Sequence, residues 1–242
     1  EFAAVCLKRP FATFLLCLAS LLPALTFAAS AIELQAARDN AFQAATQMLM
    51  FVALDKAGER RTAAEKAIAK VDATVTTISD ANLTVRWQAT RAALTTSPYQ
   101  NGQINQRQLY SWENEVMAFT NDLAHLMPRG LDRNKNDMYD LAGRMQVMLL
   151  IYLRNSADPL GGTNYTGINS DKELKVLSDE FSANLNLVIR QNPKSAVALT
   201  KVKSKWVFLS ARISDIKGAN VPFIADLYGR QIINILLSTA GS

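Results

Sequence analysis

Two short stretches of the chain are apolar at every residue, and they limit the folds that it can adopt. Residues 48–54 and 147–153 each hold seven consecutive apolar side chains, preceded by Gln47 and Gln146 respectively. Both lie in sequence rich in residues that favour helix. A helix that is apolar all round cannot lie on a surface with a single stripe buried. We therefore predict that both helices lie at the centre of the fold, packed against each other, or that they face a partner.

Helix-forming residues also dominate the remaining sequence, and the prolines are confined to a few positions. The pattern predicts seven helical segments, the last broken near residues 217–222: 32–57, 60–79, 82–96, 104–126, 134–156, 171–190 and 194–238. The first two could form one continuous helix, because an internal glycine such as Gly58 costs only about 1 kcal/mol. Turn-forming residues separate the other segments, and no alternating strand pattern is convincing. The chain is therefore predicted to be all-α.

The two apolar runs are also one sign of an internal repeat. Aligning Gln47 with Gln146 superposes them, although aligning Ala45 with Ala142 is nearly as good, so the register stays open. Further landmarks follow in the same order in both halves: Trp87 and Trp206, then Leu109-Tyr110 and Leu227-Tyr228. We predict a helical bundle of two tandem, pseudo-repeated modules, module A over residues 29–130 and module B over residues 131–242. Chance similarity between two amphipathic helical sequences is the alternative.

The first 28 residues have the pattern of a secretory signal peptide. Lys8 and Arg9 precede an apolar stretch over residues 11–27, and small residues follow it. We expect cleavage after Ala28 and export to the periplasm, with an uncleaved membrane anchor as the alternative. No later apolar segment approaches the roughly 20 residues that span a bilayer. No stable membrane span is therefore expected after cleavage.

The inventory of reactive side chains argues against several functions. The sequence has one histidine and two cysteines, and both cysteines, Cys6 and Cys17, lie in the predicted signal peptide. A zinc site, an iron–sulfur centre or a disulfide framework cannot be assembled from that inventory. No positioned nucleophile is evident, so we expect neither catalysis nor a cofactor. The net charge of +5 is spread along the chain, which does not favour nucleic-acid binding.

One predicted helix carries a resemblance to a known family. Residues 140–149, Asp-Leu-Ala-Gly-Arg-Met-Gln-Val-Met-Leu, are similar to the motif that opens the first helix of the PilJ-type domain. That domain is the N-terminal sensory domain of type IV pilus methyl-accepting chemotaxis transducers, and periplasmic nitrate/nitrite sensor domains carry a similar segment. Residues 205–209 and 221–228 resemble later parts of the same pattern. The resemblance covers most of module B and implies an extracytoplasmic, all-helical sensing or binding domain.

The same resemblance implies that Arg144 can meet a small oxyanion such as nitrate. A guanidinium is permanently charged and pairs with a planar anion through two parallel hydrogen bonds. Arg144 shares a helix face with the apolar run that follows, so its charge needs a partner or a ligand. Asp140, one turn earlier, could be that partner. Gln146 and Gln47 complete the predicted ligand-binding set, and module A offers no arginine at the place equivalent to Arg144.

Two functions of different classes follow. The first is an exported, non-enzymatic PilJ-like module that acts as an interaction or accessory protein of a signalling or pilus system, with a periplasmic protein as partner. It predicts an exposed apolar patch. The second is a small-oxyanion binding protein, which predicts that Arg144 is buried beside a cavity. The apolar residues after Gln146 favour the first, because they indicate a packed core. A homodimer formed through the apolar runs is a further alternative.

Overall fold

A computed structural model shows eight α-helices packed as a bundle over the described residues, which are 29–52, 58–158, 170–214 and 221–241. In chain order the helices are α1 (Ala31–Met50), α2 (Gly58–Ile78), α3 (Ala81–Thr95), α4 (Gln106–Leu126), α5 (Arg133–Ala157), α6 (Ser170–Gln191), α7 (Ala196–Ile213) and α8 (Pro222–Gly241). A short antiparallel hairpin of β1 (Tyr99–Gln100) and β2 (Gln103–Ile104) joins α3 to α4. The all-α prediction is confirmed. The predicted signal peptide lies outside the described residues.

The structure differs from the predicted elements in two places. The alternative of one continuous helix through Gly58 is wrong, because α1 and α2 are separate helices that pack against each other and bury the apolar face of α2. The hairpin between α3 and α4 was not expected from the strand pattern. Its turn residues, Asn101 and Gly102, have φ values of 52° and 78°. Asn-Gly with positive φ at both residues is the usual sequence of a tight hairpin turn, so a local signal for it was present.

Polar side chains fix where the two central helices begin. At the start of α1, the Ser30 hydroxyl accepts a hydrogen bond from the Glu33 N–H at 3.2 Å, and the Glu33 carboxylate accepts one from the Ser30 N–H at 2.9 Å. At the start of α5, the Asp132 carboxylate accepts from the Asn134 N–H at 2.9 Å. Each such cap stabilises a helix by about 1 kcal/mol. Because a helix rotates by a fixed angle per residue, the position of its first residue determines the face on which each later residue lies.

Helices α1 and α5 pack against each other at the centre of the bundle. Helix α1 also contacts α2, α3, α4 and α8, and helix α5 also contacts α4, α6 and α8. The first four helices contact one another in a ring from α1 to α4 and back to α1, and the last four do so from α5 to α8 and back to α5. The predicted packing of the two apolar-run helices against each other is confirmed.

Burial of the apolar runs agrees with that position. Met148 through Leu153 of α5 are each 2% exposed or less, and Leu49 and Met50 of α1 are fully buried. Residues 53–54, the end of the first run, lie outside the described residues. None of the described helices is both long enough and apolar enough to cross a membrane.

Candidate functional site

A polar pocket lies where α1, α5 and α8 meet. Its volume is about 230 Å³. The residues that line it come from all three helices: Asp39, Phe42, Gln43, Thr46, Gln146, Leu149, Arg230, Ile233 and Asn234. Pockets for drug-sized ligands begin at about 300 Å³. A cavity of this size therefore suits a smaller molecule, of the kind found among polar metabolites.

Gln146 forms the buried polar wall of the pocket. The residue is 1% exposed, and its Nε2 donates a hydrogen bond to Oδ1 of Asp39 at 2.8 Å. Its Oε1 is also buried, yet it accepts no hydrogen bond within the part of the chain that the structure describes. A buried acceptor without a donor costs about 1–3 kcal/mol. This oxygen has almost no solvent-accessible surface, so it lies behind the pocket wall, and Gln146 contributes to the site by holding the Asp39 carboxylate.

Asp39 contributes a carboxylate beside that amide. Burial is the main influence on this group and raises the pKa of the Asp39 carboxyl above its usual range. The hydrogen bond from Gln146 and the positive charges of Arg230 and Lys70 act in the opposite direction. Because burial prevails, the charge of Asp39 is incompletely compensated by the protein. An additional donor or cation at this position would stabilise the ionised form.

Arg230 lies at the other end of the pocket. Its Nε donates to Asp226 Oδ1 at 2.6 Å, and its Nη2 donates to the Thr46 hydroxyl at 2.8 Å. Thr46 comes two helical turns after Asp39, which is about 10 Å along the axis of α1. The guanidinium therefore ties α8 to α1 and places a positive charge at the opposite end of the pocket from Asp39.

The structure separates the three predicted ligand-binding residues. Arg144 donates from Nε to Asp140 at 2.8 Å and from Nη1 to Glu180 at 3.2 Å. Its predicted pairing with Asp140 is therefore confirmed. Gln47 accepts a hydrogen bond from Arg60 at 3.4 Å. Gln146 lines the pocket described above, whereas Arg144 and Gln47 are not among its lining residues.

An arginine of α1, Arg38, also lies against α5. A Cβ atom added at Gly143 would lie 2.5 Å from Arg38 Nη2. The absence of a side chain at Gly143, which directly precedes Arg144, therefore leaves room for the Arg38 guanidinium. When Gln47 is aligned with Gln146, module A has no arginine at the position equivalent to Arg144. The contacts instead bring Arg38 and Asp39 of α1 to Gly143 and Gln146 of α5.

Sequence reasoning missed Asp39 and Arg230 as site residues, although part of the signal was present. Asp39, Gln43 and Thr46 are spaced by four and three residues, so they share one face of α1. A polar stripe on a helix that must lie at the centre of a bundle indicates either a polar network or a ligand. Arg230 could not be found in this way, because its place depends on the packing of α8 against α1.

A second polar cluster lies further along α5, around Arg154. The side chain of Arg154 is 2% exposed, and its Nε donates to the Glu113 carboxylate at 2.6 Å. Its Nη1 donates to the Tyr110 hydroxyl at 2.8 Å, and the guanidinium carbon lies 4.2 Å from the centre of the Tyr110 ring. The charge is matched by an ion pair and an aromatic ring, so this cluster stabilises the contact between α4 and α5.

Large apolar side chains are exposed on α7 and α8: Val207, Phe208, Phe223 and Leu227.

Within the described residues, no group of three or more histidine, cysteine, aspartate or glutamate side chains could hold a metal ion.

Comparison with known proteins adds no relative. No family model matches the chain, and neither a curated protein nor a solved structure is significantly similar to it. The resemblance of residues 140–149 to the PilJ-type domain stays a prediction.

Proposed function

We propose that this chain is a non-enzymatic binding protein whose pocket between α1, α5 and α8 holds a small polar molecule. The observation that carries the proposal is a cavity of about 230 Å³ whose lining includes the Asp39 carboxylate, which Gln146 holds by a hydrogen bond, and the Arg230 guanidinium. A small polar molecule can form charge-assisted hydrogen bonds with both groups.

The remaining lining groups support recognition of a polar molecule. The pocket carries a carboxylate, amides, a hydroxyl and a guanidinium, with Phe42, Leu149 and Ile233 as its apolar walls. Apolar walls with a few directed polar groups are typical of small-molecule sites, and sites in helical bundles form between facing helices. The position between α1, α5 and α8 agrees with both.

The oxyanion alternative at Arg144 receives less support. The guanidinium of Arg144 is hydrogen-bonded to Asp140 and Glu180, two carboxylates that would compete with an incoming anion. An anion would have to displace them and would meet two negative charges at close range. Arg230, which lines the pocket, is paired with one carboxylate, Asp226, whose charge Arg60 also offsets.

The proposal includes the tandem arrangement and export. Helices α1–α4 and α5–α8 are taken as diverged copies of one module, with α1 and α5 as equivalents. Two buried tryptophans support this: Trp87 of α3 donates its indole N–H to Asp72 of α2 at 2.6 Å, and Trp206 of α7 donates to Ser182 of α6 at 2.8 Å. Export to the periplasm, and an accessory role in a signalling or pilus system, rest on the signal-peptide pattern and on the PilJ-like residues.

The test is a thermal-shift screen of the purified protein against small polar metabolites, repeated on Gln146→Leu and on Arg144→Gln. A ligand at a hundred times its dissociation constant adds about 2.7 kcal/mol, which raises Tm by several degrees in a chain of this size. We expect a shift that Arg144→Gln retains and Gln146→Leu loses. Identical melting in every compound contradicts the proposal. A shift that is lost in Arg144→Gln and kept in Gln146→Leu would favour the oxyanion site instead.

A further inference from the structure

We infer that the ligand of this pocket is a small zwitterion, with its ammonium group at Asp39 and its carboxylate at Arg230 and Asn234. The inference rests on the proposed function and names the class of molecule that the pocket takes. It follows from the positions of the charged and polar groups at the two ends of the cavity.

The end of the pocket at Asp39 offers acceptors. Asp39 lines the cavity, is half-buried and receives a hydrogen bond from Gln146 Nε2. An ammonium group carries N–H donors and no acceptor, so it can donate to this carboxylate. It also adds a positive charge beside a carboxylate that Arg230 and Lys70 compensate only in part.

The other end of the pocket offers donors. Arg230 donates from Nε to Asp226 and from Nη2 to Thr46. A guanidinium has five N–H groups, so these two hydrogen bonds do not use all of its donors. Its side chain is 26% exposed, so it is accessible from the cavity that it lines. Asn234 lies one turn further along α8 and adds an exposed amide to the same wall. A carboxylate fits a guanidinium and an amide through charge-assisted hydrogen bonds.

The apolar side chains between the two ends limit what joins the charged groups of the ligand. Phe42 lies between Asp39 and Thr46 along α1, and Leu149 lies one turn beyond Gln146 on α5. These walls suit a short carbon chain. The cavity of about 230 Å³ is smaller than the pockets that take drug-sized ligands. The class is therefore an amino acid or an aminocarboxylate with separated charges.

The experiment uses three probes that share a four-carbon chain: 4-aminobutyrate, butylamine and butyrate. Affinities for the purified protein are measured by calorimetry. We expect 4-aminobutyrate to bind most tightly, butylamine more weakly and butyrate most weakly. Glycine and 6-aminohexanoate extend the series and report the separation of the two charged ends.

Variants assign the two ends. Asp39→Asn keeps the acceptor for Gln146 Nε2 and removes the charge, so it should weaken butylamine and 4-aminobutyrate by at least about tenfold and leave butyrate unchanged or tighter. Asn234→Leu should weaken 4-aminobutyrate and leave butylamine unchanged. Arg144→Gln, also on α5 but not a lining residue, is the matched control and should change none of the affinities.

Three results overturn the inference and are distinguishable. If butyrate or an uncharged metabolite binds as tightly as 4-aminobutyrate and Gln146→Leu abolishes that binding, the ligand class is wrong while the pocket function stands. If neither these probes nor the wider metabolite panel raises Tm or gives heat, the inference and the proposed function fail together. Amine binding that persists unchanged in Asp39→Asn contradicts the assignment of the ammonium end.

Discussion

Two polar clusters lie on α5, eight residues apart, and they differ in how completely their groups are matched. Arg154 is 2% exposed, its charge is paired with Glu113, and two of its nitrogens donate hydrogen bonds, to Glu113 and Tyr110. Gln146 is 1% exposed, and its Oε1 has no donor among the described residues. The Arg154 cluster is closed, whereas the Gln146 cluster, with Asp39, Thr46 and Arg230, is open, because these residues line a cavity. A buried cluster with matched charges serves the fold, and charged groups that line a cavity are where a ligand can bind.

The same difference explains why we do not place the binding site at Arg154, although it is a buried cation. A buried ion pair is costly to form, because both groups lose water, and it is costly to break, because the remaining charge stays buried. Arg154 and Glu113 are held in this way. Asp39 and Arg230 lie at opposite ends of a cavity that a small molecule can enter, so a ligand can add to their interactions without breaking one.

The largest effect is expected when the matched cluster loses its arginine. Arg154→Met leaves the Glu113 carboxylate and the Tyr110 hydroxyl without their partner in a buried setting, which costs about 3–5 kcal/mol. Chemical denaturation of the purified protein measures it. Arg144→Met is the control, because its side chain is 35% exposed and a pair of that kind contributes about 1 kcal/mol or less. Equal losses in the two variants would show that burial does not separate the two arginines.

A smaller effect compares one hydroxyl in each cluster. Tyr110→Phe removes the acceptor for Arg154 Nη1, and Thr46→Val removes the acceptor for Arg230 Nη2. Hydrogen bonds to a charged group contribute about 1.5–3 kcal/mol. We expect Tyr110→Phe to fall in that range and Thr46→Val below it, since water can reach the partly exposed Arg230 and replace the hydroxyl. If the denaturation midpoint fell further for Thr46→Val than for Tyr110→Phe, the Arg154 cluster would not be the more tightly matched of the two.

The charge of Asp39 should make the open cluster sensitive to pH. Its pKa is raised in the folded protein, first because of burial, so its neutral form contributes stability that is complete below the unfolded-state pKa and is lost as pH rises through the folded-state pKa. Asp39→Asn cannot ionise. Relative to the unmodified chain, the variant should therefore gain in Tm as pH rises from acid to neutral. The charged groups that influence Asp39 are Arg230 and Lys70. A variant that loses Tm relative to the parent over this interval would contradict the raised pKa.

The fold was predictable from sequence to a greater extent than the pocket. Helix positions follow from local composition and turn residues, and the central place of α5 follows from an apolar run that no surface helix could carry. The pocket depends on contacts between residues far apart in the chain. Gln146 meets Asp39 and not Gln47, and Arg230 reaches Thr46 only because α8 packs against α1. Aligning the two apolar runs at Gln47 and Gln146 could not show that Gln146 contacts Asp39.

The smallest effects are expected at two helical glycines that border the open cluster. A Cβ at Gly143 would lie 2.5 Å from Nη2 of Arg38, the end of a flexible side chain that can move aside. A Cβ at Gly229 would lie 3.1 Å from Cδ2 of Leu149, which is 1% exposed and lines the pocket. Alanine gains about 1 kcal/mol over glycine inside a helix. Gly143→Ala should therefore be neutral or stabilising by up to about that amount, with ligand affinity unchanged.

Gly229→Ala should lose that gain, because Leu149 is enclosed and lines the cavity, so the shift that makes room for the Cβ changes the pocket wall. The predicted signature is a stability close to that of the parent protein together with weaker binding of 4-aminobutyrate, measured by denaturation and calorimetry on the same preparations. Gly143→Ala supplies the matched control on the neighbouring helix. If both variants are equally stabilised and bind equally well, Leu149 does not set the shape of the pocket, and the apolar wall assigned to the ligand's carbon chain must be placed elsewhere.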